Sequence, residues 1–145
     1  MQAVAGTSNR DVLRRAAPLL GGCALLAGAA LVAANDPAAA GSRFPGCIFH
    51  QATGLWCPGC GLTRGLHQLF TGSIGSAVAY NVFTPVVVVA VAWAWLSWLR
   101  TSWGRSPLAP PAALLRPFLA VLPVVLVIYG ALRNIPAAPF RALAP

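Results

Sequence analysis

The chain has 145 residues, 58% apolar and 8% charged, and carries ten basic residues against two acidic ones for a formal net charge of +8. A soluble domain draws on about 25% charged residues, and a disordered chain on low hydrophobicity. This composition, with a mean hydropathy of +0.73, excludes both and points to one small integral membrane domain. All ten basic residues are Arg, and Asp11 and Asp36 are the only acids, so there is no carboxylate pair for general acid–base work.

The expected fold is all-α: three transmembrane helices, with a Cys-containing interfacial helical loop between the first and the second. Residues 1–15 form a basic tail with Arg10, Arg14 and Arg15. Residues 16–35 are uncharged and reach the ~20 residues that a bilayer requires. Ala38-Ala39-Ala40 resembles a cleavage site, but the apolar run before it exceeds the roughly 7–15 residues of a secretory leader, so the stretch reads as a span. Cys23 within it reads as a small apolar filler. An outer loop follows over 36–81. The second span covers 82–99 and ends at Arg100. A Pro-rich connection occupies 100–111, the third span covers 112–132 with Pro123 inside it, and a tail runs over 133–145.

The positive-inside rule orients these spans. Arg10, Arg14, Arg15, Arg100, Arg105 and Arg116 fall on one side, and Arg43, Arg64, Arg133 and Arg141 on the other, a split of six to four. The first side is expected to be cytoplasmic, which places the cysteine loop outside an inner (plasma) membrane crossed several times. Trp93, Trp95, Trp98 and Trp103 crowd the cytoplasmic end of the second span, where lipid-anchoring belts form. The lipid bilayer is the expected partner, alone or with another membrane protein. The Arg residues form no basic stripe, which argues against nucleic acid.

The loop carries the chemistry. Cys57-Pro58-Gly59-Cys60-Gly61 is a tight turn, and Leu62, Leu66, Leu69 and Phe70 then fall at helical spacing. Gly72 ends that helix, and Ser73 opens a second over 74–80. A helix beginning within two residues of Cys60 puts Cys60, Arg64 and His67 on one face and aims its positive end at the thiols. Cys47 lies ten residues upstream of Cys57. Asn81 reads either as a local helix cap or, with Arg64, Arg133 and Asn134, as part of one polar cluster around the cysteines.

The string TGLWCPGCGLTRGLHQLFTGSIGSAVAYN resembles the signature of a bacterial membrane-protein family catalogued as domain of unknown function 2752. Its pattern falls on Cys47, Thr53, Gly54, Cys57, Pro58, Gly59, Cys60, Gly61, Thr63, Arg64, His67, Gly72, Ala77, Asn81, Arg133 and Asn134. Val82 stands where that family carries Pro, and the nearest proline is Pro85, which shifts the start of the second span by about a turn. The resemblance implies a membrane architecture and no established activity.

Three readings of the loop stay open. One is a structural motif in a non-enzymatic binding or assembly module, with a disulfide among Cys57, Cys60 and Cys47 on an oxidising face. A second is a zinc or iron site on Cys47, Cys57 and Cys60 with His50 or His67, since two-residue spacers within ligand pairs are typical of such sites. The third is thiol–disulfide exchange through Cys57 and Cys60, with Cys47 as a relay. The chain has no G-x-S-x-G motif, phosphate loop or dinucleotide fingerprint, so the sequence leans away from an enzyme.

Overall fold

The computed structural model describes residues 9–42, 44–110 and 112–144. Among these, every regular element is a helix: α1 (Asn9–Ala34), α2 (Ile48–Thr53), α3 (Leu62–Phe70), α4 (Ile74–Tyr80), α5 (Thr84–Ser102) and α6 (Ala112–Leu132), then a 3-10 turn over Phe140–Leu143. Arg43, counted above with the outer loop, lies outside the described residues, as do the first eight residues of the basic tail.

Three helices are long and apolar enough to cross a membrane, and at most 6% of the most apolar window of each is buried inside the protein. Side chains such as Leu20, Leu26, Val89 and Val127 are more than 60% exposed, a surface that a bilayer satisfies and water does not. The chain is therefore a multi-pass membrane protein. α1 begins at Asn9, earlier than the apolar run, because Arg is a good helix former and Arg14 Nε donates to the Ser102 carbonyl across the bundle at 3.4 Å. Hydropathy marks the span, whereas the helix continues into polar sequence. α5 starts at Thr84 with Pro85 in its first turn, where a missing amide hydrogen is tolerated. α6 carries both Pro117 and Pro123 within the helix.

The tryptophans do more than anchor to lipid. Trp95 Nε1 donates to the Pro18 carbonyl at 2.9 Å, and its ring lies so close over Gly22 that a β-carbon there would sit 2.7 Å from it. Trp98 covers Gly21 in the same way. Glycines on α1 thus make the hollow that α5 fills, a close small-residue approach of the kind that drives helix association in lipid. Trp93 Nε1 donates to the Leu108 carbonyl at 2.8 Å, tying α5 to the connection before α6. These contacts correct the purely interfacial role expected from sequence, because an indole at a span's end looks the same in sequence whether it meets lipid or a helix.

At the opposite end, α3 packs on α4, α1 and α5, and α4 on α5, while the segment around Trp56 and Cys57 meets Arg133 and Asn134 just past α6. His67 Nδ1 meets the Val32 carbonyl of α1 at 2.8 Å. Gly65 is buried where α3 crosses α5 and α4. A β-carbon there would collide with Thr84 Oγ1 and lie 3.0 Å from the Ala77 carbonyl oxygen, so only glycine permits the crossing.

Candidate functional site

The site is built from the backbone outward. Cys47 precedes α2, whose six residues carry the chain back toward the motif. Thr53 Oγ1 donates to the Phe49 carbonyl at 2.7 Å and accepts from the Leu55 amide at 3.2 Å, and Gly54 takes a left-handed conformation at φ 73°. Together they close α2 and send Trp56 and Cys57 toward the thiol cluster. The turn from Cys57 follows, with the Cys60 amide donating to the Cys57 carbonyl at 3.1 Å. Gly61, at φ 80°, is the N-cap of α3, and a left-handed residue there favours glycine strongly.

The three loop thiols converge. Cys47 Sγ lies 3.4 Å from Cys57 Sγ, and Cys57 Sγ lies 3.0 Å from Cys60 Sγ. All three sulfurs fall within 4.8 Å of one another. Each is a free thiol, since the separations exceed the ~2.05 Å of a disulfide bond. Cys23 is exposed on α1, away from the cluster. The thiols differ in acidity. The His50 amide, in the first turn of α2, faces Cys47 without forming a cap hydrogen bond. It is the chief cause that draws this thiol from 9.0 down to about 7, with the Cys60 side chain assisting. Burial pushes the Cys60 thiol up to about 12, and only 3% of that residue is exposed.

A polar clamp holds the turn through its carbonyls. Asn81, wholly buried, donates from Nδ2 to the Pro58 and Cys60 carbonyls at 2.8 and 3.1 Å, while its Oδ1 accepts the Phe83 amide at 2.9 Å. It ends α4 as the C-cap residue, its backbone amide donating to the Ala77 carbonyl, while the N-cap of α5 is Phe83 and receives no side-chain cap; the Asn81 side chain belongs to the cluster. Arg133 is 2% exposed. Its Nη1 donates to the Cys60 carbonyl at 2.8 Å and, at longer range, to those of Cys57 and Pro58. Nη2 reaches the Tyr80 carbonyl, Nε reaches that of Leu143 at 2.8 Å, and the guanidinium stacks 5.0 Å from the Tyr129 ring centroid. Asn134 accepts the Trp56 amide at 2.8 Å and donates to the Trp56 carbonyl at 2.9 Å. No carboxylate pairs with Arg133 among the described residues; its partners are carbonyl dipoles and an aromatic face.

The remaining expected residues sort clearly. His67 does not join the thiols, because its ring is turned to α1. His50 stacks on Trp56 at 3.8 Å between centroids, with Nδ1 3.2 Å from the Leu55 carbonyl. Thr63 and Arg64 line a cavity of about 580 Å³ together with the three cysteines, His50, Gln51 and Trp56. Trp56 and Tyr129 were not singled out from sequence, although Tyr129 and Arg133 stand one helical turn apart, the spacing at which a ring and a guanidinium meet.

Three spans beneath a layer of short helices with three clustered thiols define a small membrane protein with a thiol site at one end. Residues 47–95 match the family described as "Protein of unknown function (DUF2752)", the family that the motif resembles. Cys47, Cys57, Cys60, Arg64 and Asn81 lie within the match, whereas Arg133 and Asn134 lie beyond it. No curated protein and no solved structure matches the chain.

Proposed function

We propose that this protein binds a zinc ion, or a comparable divalent metal, through the thiolates of Cys47, Cys57 and Cys60. The observation that carries this reading is the convergence of three free thiols from two separate segments. A tetrahedral centre with Zn–S bonds of ~2.3 Å separates its sulfurs by about 3.8 Å. The Cys47–Cys57 and Cys57–Cys60 pairs would therefore spread by less than about 1 Å to admit an ion. Metal binding deprotonates a coordinating thiol outright, which overcomes the burial that keeps Cys60 protonated without it. Arg133, held against the Cys57 and Cys60 carbonyls, supplies positive charge beside a centre whose three thiolates exceed the charge of a divalent ion. Thiol–disulfide exchange fits less well, because a thiolate expelled at Cys60 would form in a buried position with little water to receive it.

The metal-bearing layer faces outward and the N-terminus faces the cytoplasm. Support comes from the bundle: Arg14 and Ser102 meet at the end opposite the thiols, so the more Arg-rich side gathers there, as positive-inside orientation requires. The role is that of a non-enzymatic binding or assembly module. Elemental analysis of protein purified without reductant or chelator, alongside thiol counting by intact mass, tests the centre. About one metal per chain, lost in Cys57→Ser, is expected. A stable Cys57–Cys60 disulfide with no metal refutes it. Labelling of intact cells with a membrane-impermeant maleimide after metal removal tests orientation, and labelling only in permeabilised cells reverses it.

A further inference from the structure

The geometry points to an open fourth coordination position on this metal, taken by a small thiol that carries a carboxylate and held by Arg64. The inference rests on the metal reading above and goes beyond it by naming what the centre receives. Among the described residues, three protein sulfurs converge and no fourth side-chain ligand joins them. Neither histidine has a ring nitrogen grouped with the three sulfurs: His67 turns Nδ1 to the Val32 carbonyl, and His50 stacks on Trp56 with Nδ1 toward the Leu55 carbonyl. A structural zinc site is closed by four protein ligands, whereas three protein ligands leave a position for an exogenous donor.

That position gives onto the cavity of about 580 Å³, within the range of small-molecule sites. Its wall supplies the rest of the recognition. Arg64 lines it and forms no hydrogen bond or ion pair with another described residue, while the N-terminus of the nine-residue α3 opens beside it without a side-chain cap. A guanidinium and a helix N-terminus both favour an anion, and the planar fork matches a carboxylate. The Trp56 and His50 rings supply an apolar and aromatic flank. The donor atom itself is best a thiolate, because a soft fourth ligand matches three sulfurs. On binding, the thiol loses its proton to solvent and its sulfur lone pair forms the metal–sulfur bond, with no change of oxidation state.

The full-length protein in detergent, loaded anaerobically with Co²⁺ as a visible stand-in for zinc, tests this by titration with mercaptopropionate and with mercaptoethanol. Mercaptopropionate is expected to raise the sulfur-to-cobalt charge-transfer band from the level of three thiolates to that of four. It should bind about 10-fold or more tightly than mercaptoethanol, the share of one charge-assisted contact. Arg64→Gln should bring the two thiols to about the same affinity, and Arg64→Lys, which keeps charge without the fork, should fall between. Cobalt uptake with a spectrum that neither thiol moves overturns the open position. Equal affinity for both thiols in the unaltered protein overturns the role of Arg64. A His50→Ala protein whose ligand-free cobalt spectrum differs from the parent's shows an internal fourth ligand and overturns the proposal as well. Failure of the unaltered protein to take up cobalt instead refutes the metal centre itself.

Discussion

Replacing Arg133 by Met keeps an unbranched stem and removes the fork that binds α6 to the thiol turn. Five carbonyls lose a donor: those of Leu143, Cys57, Pro58, Cys60 and Tyr80. Three of these keep a partner, Pro58 and Cys60 through Asn81 Nδ2 and Cys57 through the Cys60 amide, so the loss concentrates on Tyr80 and Leu143. A hydrogen bond from a charged donor contributes about 1.5–3 kcal/mol, and an orphaned buried acceptor costs about 1–3 kcal/mol. Only the bonds to Cys60 and Leu143 are as short as 2.8 Å, and Met no longer has to desolvate a charge. Weighing these, a net loss of about 3 kcal/mol is expected, which corresponds to roughly 10 °C in melting temperature at this chain length. Thermal unfolding in detergent, followed by tryptophan fluorescence, measures it, and Arg133→Lys should lose about half as much. An Arg133→Met protein that melts within about 2 °C of the parent would show that the clamp contributes little and that α6 is held by other contacts.

Gly65→Ala is expected to destabilise by about 1–3 kcal/mol through collision with Thr84 and the Ala77 carbonyl. Because Thr84 Oγ1 is buried without a hydrogen-bond partner, adding Thr84→Ala should recover much of that loss, and a strictly additive double mutant would contradict the packing described. In metal-free protein, alkylation of Cys47 should rise about 10-fold between pH 6 and pH 8, as its thiolate forms around the depressed value of about 7. Cys60 should stay unreactive across that range, since burial keeps it protonated to about 12, and peptide-resolved mass spectrometry that found Cys60 labelled first would refute the assignment. Asn81→Asp sets a carboxylate against the Pro58 and Cys60 carbonyls. It replaces a donor to those two carbonyls by an acceptor, so this variant should melt several degrees below the parent at pH 7, and an unchanged melting temperature would contradict the clamp.

The spans were legible in the sequence because lipid imposes a simple demand: about 20 apolar residues and satisfied backbone. Helices α3 and α4 were legible too, since Gly61, Gly72 and Ser73 punctuate them and their apolar residues keep helical spacing. The two-residue spacing announced that Cys57 and Cys60 would meet. That Cys47 joins them was only a possibility in the sequence, because it depends on α2, a six-residue helix too short to show periodicity. The clamp was less legible still. Arg133 meets Cys57 across 76 positions of sequence, and what it recognises there is a carbonyl, which every residue has. Side chains that bind backbone leave no complementary residue type to look for, so the sequence showed Asn81, Arg133 and Asn134 as candidates without showing their targets. The same limit hid the destination of His67, which the helical spacing placed beside Cys60 and the fold directs to Val32.

This choice of targets bears on why the site is arranged as it is. Were the thiols themselves hydrogen-bonded by Arg133 or Asn81, their lone pairs would be committed and the ring of sulfurs would be a closed structural knot. Instead the charged and amide donors grip the carbonyls of Cys57, Pro58 and Cys60, which fixes the turn while leaving the sulfurs to one another and to whatever enters the cavity. The amide of Cys57, donating to Cys60 Sγ at 3.2 Å, is the one backbone group that forms a hydrogen bond with a cluster sulfur among the described residues. A site held from behind in this way is preorganised in the sense that a bound ion needs: its ligands are positioned by interactions that do not compete with coordination. In a membrane protein the arrangement has a further use. Arg133 sits just past the end of α6, an apolar helix whose side chains are mostly exposed on the protein, where an unsatisfied guanidinium would be expensive. The carbonyls of the thiol turn and of Leu143 satisfy it, so the cation that fixes the site is also the residue by which the third span is joined to it.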